Sequence, residues 1–252
     1  MSKKEAKPEK PKETVPESIA SFAATFVAGL FIITFVMQMF SIPSSSMERT
    51  LLIGDHVFVD RLMPAPKAGY LGPLMPYRDI HRGDLAVFMS PAEPGLHLVK
   101  RIVGVPGDRI HLSNGVLFLN GVKQSEPYVI HSRGDYDAYR DEFPSYPPDG
   151  FLDTPPDWPA VLRQNIQGDD LVVPAGYYFG MGDNRQASKD SRYWGFIPQG
   201  NIIGRPLFVL WSFETKESDG KETWSERVGF VFYATLHFFD KTRWRRTFYF
   251  AH

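Results

Sequence analysis

The chain has no cysteine among its 252 residues. That excludes disulfides, thiolate metal sites and a cysteine nucleophile, although a thiol-free chain suits an oxidising compartment as well as a reducing one. An excess of either charge is also missing, since 28 Lys and Arg face 29 Asp and Glu. There is no global field of the kind nucleic-acid binding requires, so nucleic acid is not an expected partner. No repeat appears at a period of roughly 20 to 50 residues, which argues against solenoids and propellers. What the chain does have is 43% hydrophobic and 14% aromatic residues. That is enough for one good-sized core, and the aromatic share suits a β-rich body better than a helical bundle.

Residues 1 to 17 carry five Lys, four Glu and three Pro. Such a composition does not repay the entropy of ordering, and it reads as a disordered tail. From Ser18 to Met47 no side chain is charged. The apolar run from Ile19 to Phe40 is about 22 residues, or roughly 33 Å as helix, which predicts a transmembrane anchor over 18–40. A cleaved secretory signal is the alternative, but its apolar stretch is only about 7 to 15 residues long. The lysines ahead of the run orient the N-terminus to the cytoplasm. Residues 41–252 then form an extracytoplasmic domain, joined to the membrane by a single pass.

Beyond the anchor, short β-branched and aromatic runs alternate with Gly and Pro: His56 to Asp60, Leu85 to Met89, His97 to Val103, Arg109 to Leu112, Val116 to Leu119, Tyr177 to Met181 and Leu207 to Phe213. This pattern predicts an all-β body. Ser113-Asn114-Gly115 predicts a hairpin, because Asn and Gly accept the positive φ such a turn needs. Two Pro-rich stretches, at about 62–80 and 125–167, read as insertions rather than core.

Three elements carry chemistry. Ile42-Pro43-Ser44-Ser45-Ser46-Met47 follows the anchor, so a nucleophile there would work at the bilayer surface; a solvated linker is the plain alternative. In Leu98-Val99-Lys100-Arg101-Ile102-Val103, strand alternation sets Lys100 on one face with Leu98 and Ile102 while Arg101 points the other way. Desolvation on an apolar face lowers a lysine's pKa and can make it a general base, although an isolated lysine more often snorkels to water. The third is the polar run from Gly182 to Gly195. There Ser188 can orient a neutral amine, and Asp190 with Arg192 can form a charge-assisted pair.

Together these elements resemble the bacterial type I signal peptidases, in blocks at residues 42 to 55, 82 to 88, 99 to 108 and 182 to 195. The resemblance implies a mixed, barrel-like β fold with Ser46 as nucleophile and Lys100 as general base. It implies that Ser44 and the Ser46 amide form the oxyanion hole and that Ser188 holds the Lys100 amine. Asp190 and Arg192 would be a structural pair, with Gly182, Asp183 and Asn184 shaping the loop. The implied reaction is acyl-enzyme hydrolysis that removes signal peptides from exported preproteins, with no metal or organic cofactor. Small residues are expected at the first and third substrate positions before the cut. The general base is Lys, as in the bacterial branch, where archaeal and endoplasmic-reticulum relatives carry His. One departure stands out: Arg49 occupies a position where the family usually has proline, which predicts a changed loop path.

Other readings stay open at this level: a soluble Ser/Lys self-cleaving repressor, a Ser/His/Asp hydrolase using His56 or His97, or a membrane-tethered β-domain that binds without catalysis. Two stretches also suit lipid contact. Leu62 to Tyr77 presents many apolar groups among Pro and Gly. Val228 to Phe239, followed by Lys241-Thr242-Arg243-Trp244-Arg245-Arg246, suits the headgroup layer. Alternatively the C-terminal tail adds strands to the body, as the alternation of Arg243, Arg245 and Thr247 suggests.

Overall fold

The computed structural model describes residues 14–61, 78–132, 136–144, 154–218 and 223–251. The tail up to residue 13 and the apolar stretch at 62–77 lie outside them. The chain starts in a helix, α1 (Val15–Phe31), where the Glu17 carboxylate accepts from both the N–H and the hydroxyl of Thr14. A π-helical turn (Ile32–Val36) follows, and then the first strand, β1 (Met37–Ser41). The expected helix over 18–40 is therefore corrected at its C-terminal end. Met37 to Phe40 are extended because their backbone pairs with β2 (Asp55–Asp60), in the register Met37 with Asp60 through Ser41 with His56. No Pro or Gly marks that change in the sequence, and a short apolar run fits helix or strand equally. Among the described residues no helix is long and apolar enough to cross a membrane.

The remaining strands are β3 (Leu85–Met89), β4 (His97–Gly104), β5 (Arg109–Ser113), β6 (Val116–Leu119), β7 (Val122–Lys123), β8 (Ile166–Gln167), β9 (Asp170–Val172), β10 (Tyr177–Met181), β11 (Ile197–Pro198), β12 (Ile202–Ser212) and β13 (Tyr249–Phe250). Short helices α2 (Ala138–Asp141), α3 (Trp158–Asn165) and α4 (Ser191–Trp194) interrupt them, and α5 (Trp224–Leu236) and α6 (Phe238–Lys241) follow β12. The fold is mainly β, as expected. A large antiparallel sheet runs β1-β2-β12-β3-β4-β10-β11, with β13 added to β12, and curls into a half-barrel. A smaller sheet runs β7-β6-β5-β9-β8. Its β5–β6 turn is the predicted hairpin: Ser113 pairs with Val116, and Asn114 and Gly115 take φ of 50° and 74°.

The small sheet encloses an apolar core of Ile110, Leu112, Leu119, Leu171 and Phe179. The stretch at 125–167 departs from the insertion reading here, because it contributes Tyr139, Phe143, Trp158 and Leu162 to that core. These large side chains are spaced too irregularly for either period to betray their burial. The C-terminal tail also departs from the strand alternative. Val228 to Leu236 lie in α5, and Trp244–Arg246 form a 3-10 turn, so only Tyr249–Phe250 extend the sheet.

Candidate active site

Ser46 sits in a 3-10 turn (Ser45–Met47) just past the end of β1, where Met47 and Leu51 are buried in the half-barrel core and fix the loop. Lys100 reaches it from the middle of β4. Alternation along β4 works as expected: Lys100 lies on the face with Leu98 and Ile102, it is 3% exposed, and its Nζ donates to Ser46 Oγ at 2.6 Å. It does not snorkel. Burial pushes the Lys100 amine down from 10.5 to about 8, against a smaller upward pull from the Asp190 carboxylate.

Ser44 Oγ lies 3.4 Å from Ser46 Oγ. The loop is gripped from behind by Asn184, whose N–H donates to Ser46 O at 3.1 Å and whose Nδ2 donates to Ser45 O at 3.3 Å. In a trans peptide the N–H points opposite to the C=O, so the bond to Ser45 O turns the Ser46 N–H, which shares that peptide, away from Asn184. Gly182 is required by close approach, because a Cβ there would lie 2.3 Å from Ser188 Oγ and 2.6 Å from Ser46 O. Ser188 is thus packed beside the serine loop, but the expected bond to Lys100 is not formed. Its hydroxyl is buried with no hydrogen-bond partner among the described residues.

Asp190 and Arg192 form the expected pair, fully buried, with Nε to Oδ1 and Nη2 to Oδ2 both at 2.8 Å. Asp190 also accepts from the Gly182 N–H at 3.0 Å. Burial alone would raise the Asp190 carboxyl, yet the Arg192 guanidinium holds it below the usual carboxylate range. Asp183 serves a different partner. It accepts from Thr50 Oγ1 at 2.6 Å and from Arg101 Nε and Nη2 at 2.8 and 2.7 Å. Arg101 and Thr50 were not among the residues singled out by sequence, although the alternation that set Lys100 inward already set Arg101 against the opposite face. Glu217 was missed as well; its carboxylate reaches Ser45 at 3.0 Å from 172 positions away, with no local signal.

Arg49 has a φ of 84°. Proline, fixed near −65°, has no access to that conformation. His56 lies 3.3 Å from the Gly54 carbonyl and packs at a tilt against Trp211. His97 packs edge-on against Phe40. Neither histidine contact is with a serine. Ser46 and Lys100 open onto a cleft of about 580 Å³, with Pro43, Leu98, Pro155 and Trp194 in its walls.

A buried amine donating to a serine hydroxyl beside a curled β half-barrel is the arrangement a Ser/Lys hydrolase requires. The family described as "Signal peptidase, peptidase S26" matches residues 15–211, and the chain belongs to it. Signal peptidase I of Aquifex aeolicus is 31% identical over 78% of this chain and 84% of its own length. Signal peptidase I of Pseudomonas aeruginosa is 30% identical, covering 84% of this chain and 79% of its own. Signal peptidase IB of Staphylococcus aureus is 32% identical, covering 80% and 92%. A solved signal peptidase I from Enterococcus faecalis V583 aligns with 51% of this chain and 97% of its own, at 26% identity and a TM-score of 0.33. The chain is a serine endopeptidase of the signal peptidase I type, which removes signal peptides.

Proposed function

We propose that Ser46 is the nucleophile and Lys100 the general base of this peptidase. The observation that carries the assignment is the 2.6 Å contact between Nζ and Oγ around an amine depressed to about 8. With that value roughly a tenth of the enzyme holds a neutral amine at pH 7. Neutral Lys100 takes the Ser46 proton as Oγ attacks the scissile carbonyl, and the resulting ammonium protonates the leaving amine. The oxyanion is stabilised by the Ser46 N–H and the Ser44 hydroxyl. Lys100, neutral again, then activates the water that releases the acyl-enzyme. Ser188 turns its unpartnered hydroxyl to Nζ during the cycle, while the Asp190–Arg192 pair stiffens the loop behind it. The apolar cleft favours small side chains at the first and third positions before the cut.

Residues 18–36 anchor the chain in the inner membrane, with 1–17 on the cytoplasmic side and 37–252 outside. Preprotein signal peptides then meet the site at the bilayer surface. Ser46→Ala should lower processing of a purified preprotein by about three orders of magnitude or more, with unchanged circular dichroism. Processing at the parent rate would refute the assignment. The C-terminal segment seats the domain on lipid through exposed Trp224, Phe232, Phe239 and Trp244. Because β1 belongs to the sheet, the test removes only residues 1–36; this form should sediment with anionic vesicles at low salt, and less so after Trp244→Ala with Phe239→Asp.

A further inference from the structure

The segment after β12 is tied to the serine loop at two successive residues. Glu217 Oε1 accepts from the Ser45 backbone N–H at 3.0 Å and from the Ser45 hydroxyl at 3.1 Å. The Ser218 N–H donates to the Pro43 carbonyl at 3.0 Å. At its other end the segment is fixed to the body. Phe213 is fully buried and its N–H donates to Gly54 O at 3.0 Å, while the Glu214 N–H donates to Lys241 O at 2.9 Å. Residues 213–218 thus form a strap running from the sheet to the loop that carries Ser46, and Ser218 lines the cleft beside it. The strap lies past residue 211, where the match to the family ends.

Ser45 is held from both sides, its carbonyl by Asn184 and its N–H by Glu217. These two grips set the peptide planes before and after Ser45, and the second plane carries the Ser46 N–H. We propose that Glu217 is a positioning residue for the oxyanion hole, fixing Ser45 so that the Ser46 N–H and the Ser44 hydroxyl stay aimed at the developing oxyanion. This rests on the reading of Ser46 as nucleophile. Glu217 touches neither substrate nor the reacting atoms; it acts through the loop, where small displacements are costly to a reaction that depends on fixed donors. The carboxylate is at the solvent edge, so water replaces part of what its removal takes away.

The test uses the full-length enzyme in detergent with a preprotein substrate. Ser46→Ala runs as a separate arm, and loss of processing there upholds the nucleophile whatever Glu217 does. Glu217→Ala should lower kcat about tenfold and leave KM within about twofold. Glu217→Gln, whose amide oxygen accepts the same bonds, should stay within about threefold of the parent. In a Ser44→Ala background the Glu217→Ala loss should shrink, because both act on one oxyanion. The acid limb of the pH profile should not move, since Glu217 is not among the charges acting on Lys100. Unchanged kcat in Glu217→Ala, a loss carried by KM, a Gln variant as poor as Ala, full additivity with Ser44→Ala, or a shifted acid limb would each overturn the proposal. If Glu217→Ala proves unstable by thermal midpoint, Ser45→Ala takes its place. That variant removes one of the two bonds and should lower kcat about threefold; an unchanged kcat there overturns the proposal too.

Discussion

The two faces of β4 bury one cation each, at successive positions, and treat them in opposite ways. Arg101 meets a carboxylate in fork geometry: Asp183 receives both Nε and Nη2, and Tyr128 stacks over the guanidinium with 3.9 Å between Cζ and the ring centroid. Burial works against its charge, but Asp183 outweighs it and raises the guanidinium above its ordinary value. Lys100 is buried just as deeply, yet its Nζ bonds to a neutral hydroxyl. Desolvation therefore dominates and the amine falls to about 8. One strand thus places a permanent charge on its structural side and a labile proton on its proposed working side. The difference follows from partner chemistry, since burial is nearly equal.

Putting the structural kind of cation on the working side breaks this comparison most severely. Lys100→Arg keeps the charge and much of the volume, but a guanidinium does not give up its proton in a protein. Processing should fall as far as in Lys100→Ala, by about three orders of magnitude or more. A Lys100→Arg enzyme that still processed preprotein would show that the cation acts electrostatically and not as a base. Next in size is the loss of the partner on the other face. Asp183→Asn leaves Arg101 buried without its counter-charge, which typically costs about 3–5 kcal/mol and should appear as a lowered urea midpoint. Asp183 also raises the Lys100 amine slightly, so the acid limb of activity should move down in pH. An upward shift would contradict the assignment of charges around the dyad.

The contact between Ser46 and Lys100 is legible in the sequence because its cues are local. Serines directly after the uncharged apolar run, a lysine in phase with Leu98 and Ile102, and a dense polar loop from Gly182 to Arg192 each fit within one short window. The same alternation gave the strand boundaries to within a residue or two along β3, β4, β5 and β6. What escaped depends on contacts far apart in the chain. The end of the helix at Val36 is set by pairing with β2, and Tyr139 and Trp158 are buried because the small sheet needs a lid. Glu217 finds Ser45 only once β12 has crossed the half-barrel. The helix α5 does carry a local signature, since Thr223 and Glu226 form a capping box, but the arginines beyond it are spaced as in a strand.

The smallest effect separates the two faces by proton linkage. In the unfolded chain Lys100 titrates near 10.5, and in the folded chain at about 8. Above the higher value the amine is neutral in both states and the pH-dependent cost of burial vanishes. Between the two values folding strips a proton that the unfolded chain keeps, so the cost grows as pH falls. Below the lower value it is constant, at about 3 kcal/mol for a shift of this size. Lys100→Met removes that cost together with the bond to Ser46, which is worth about 1 kcal/mol. The variant, though inactive, should therefore be more stable than the parent at pH 7, and the gain should fade as pH rises from 8 to 10.5. Urea unfolding of both proteins at pH 7 and pH 10 measures it. A stability difference that does not change with pH would mean that Lys100 titrates alike in both states, and the contrast between the two faces of β4 would lose its physical basis.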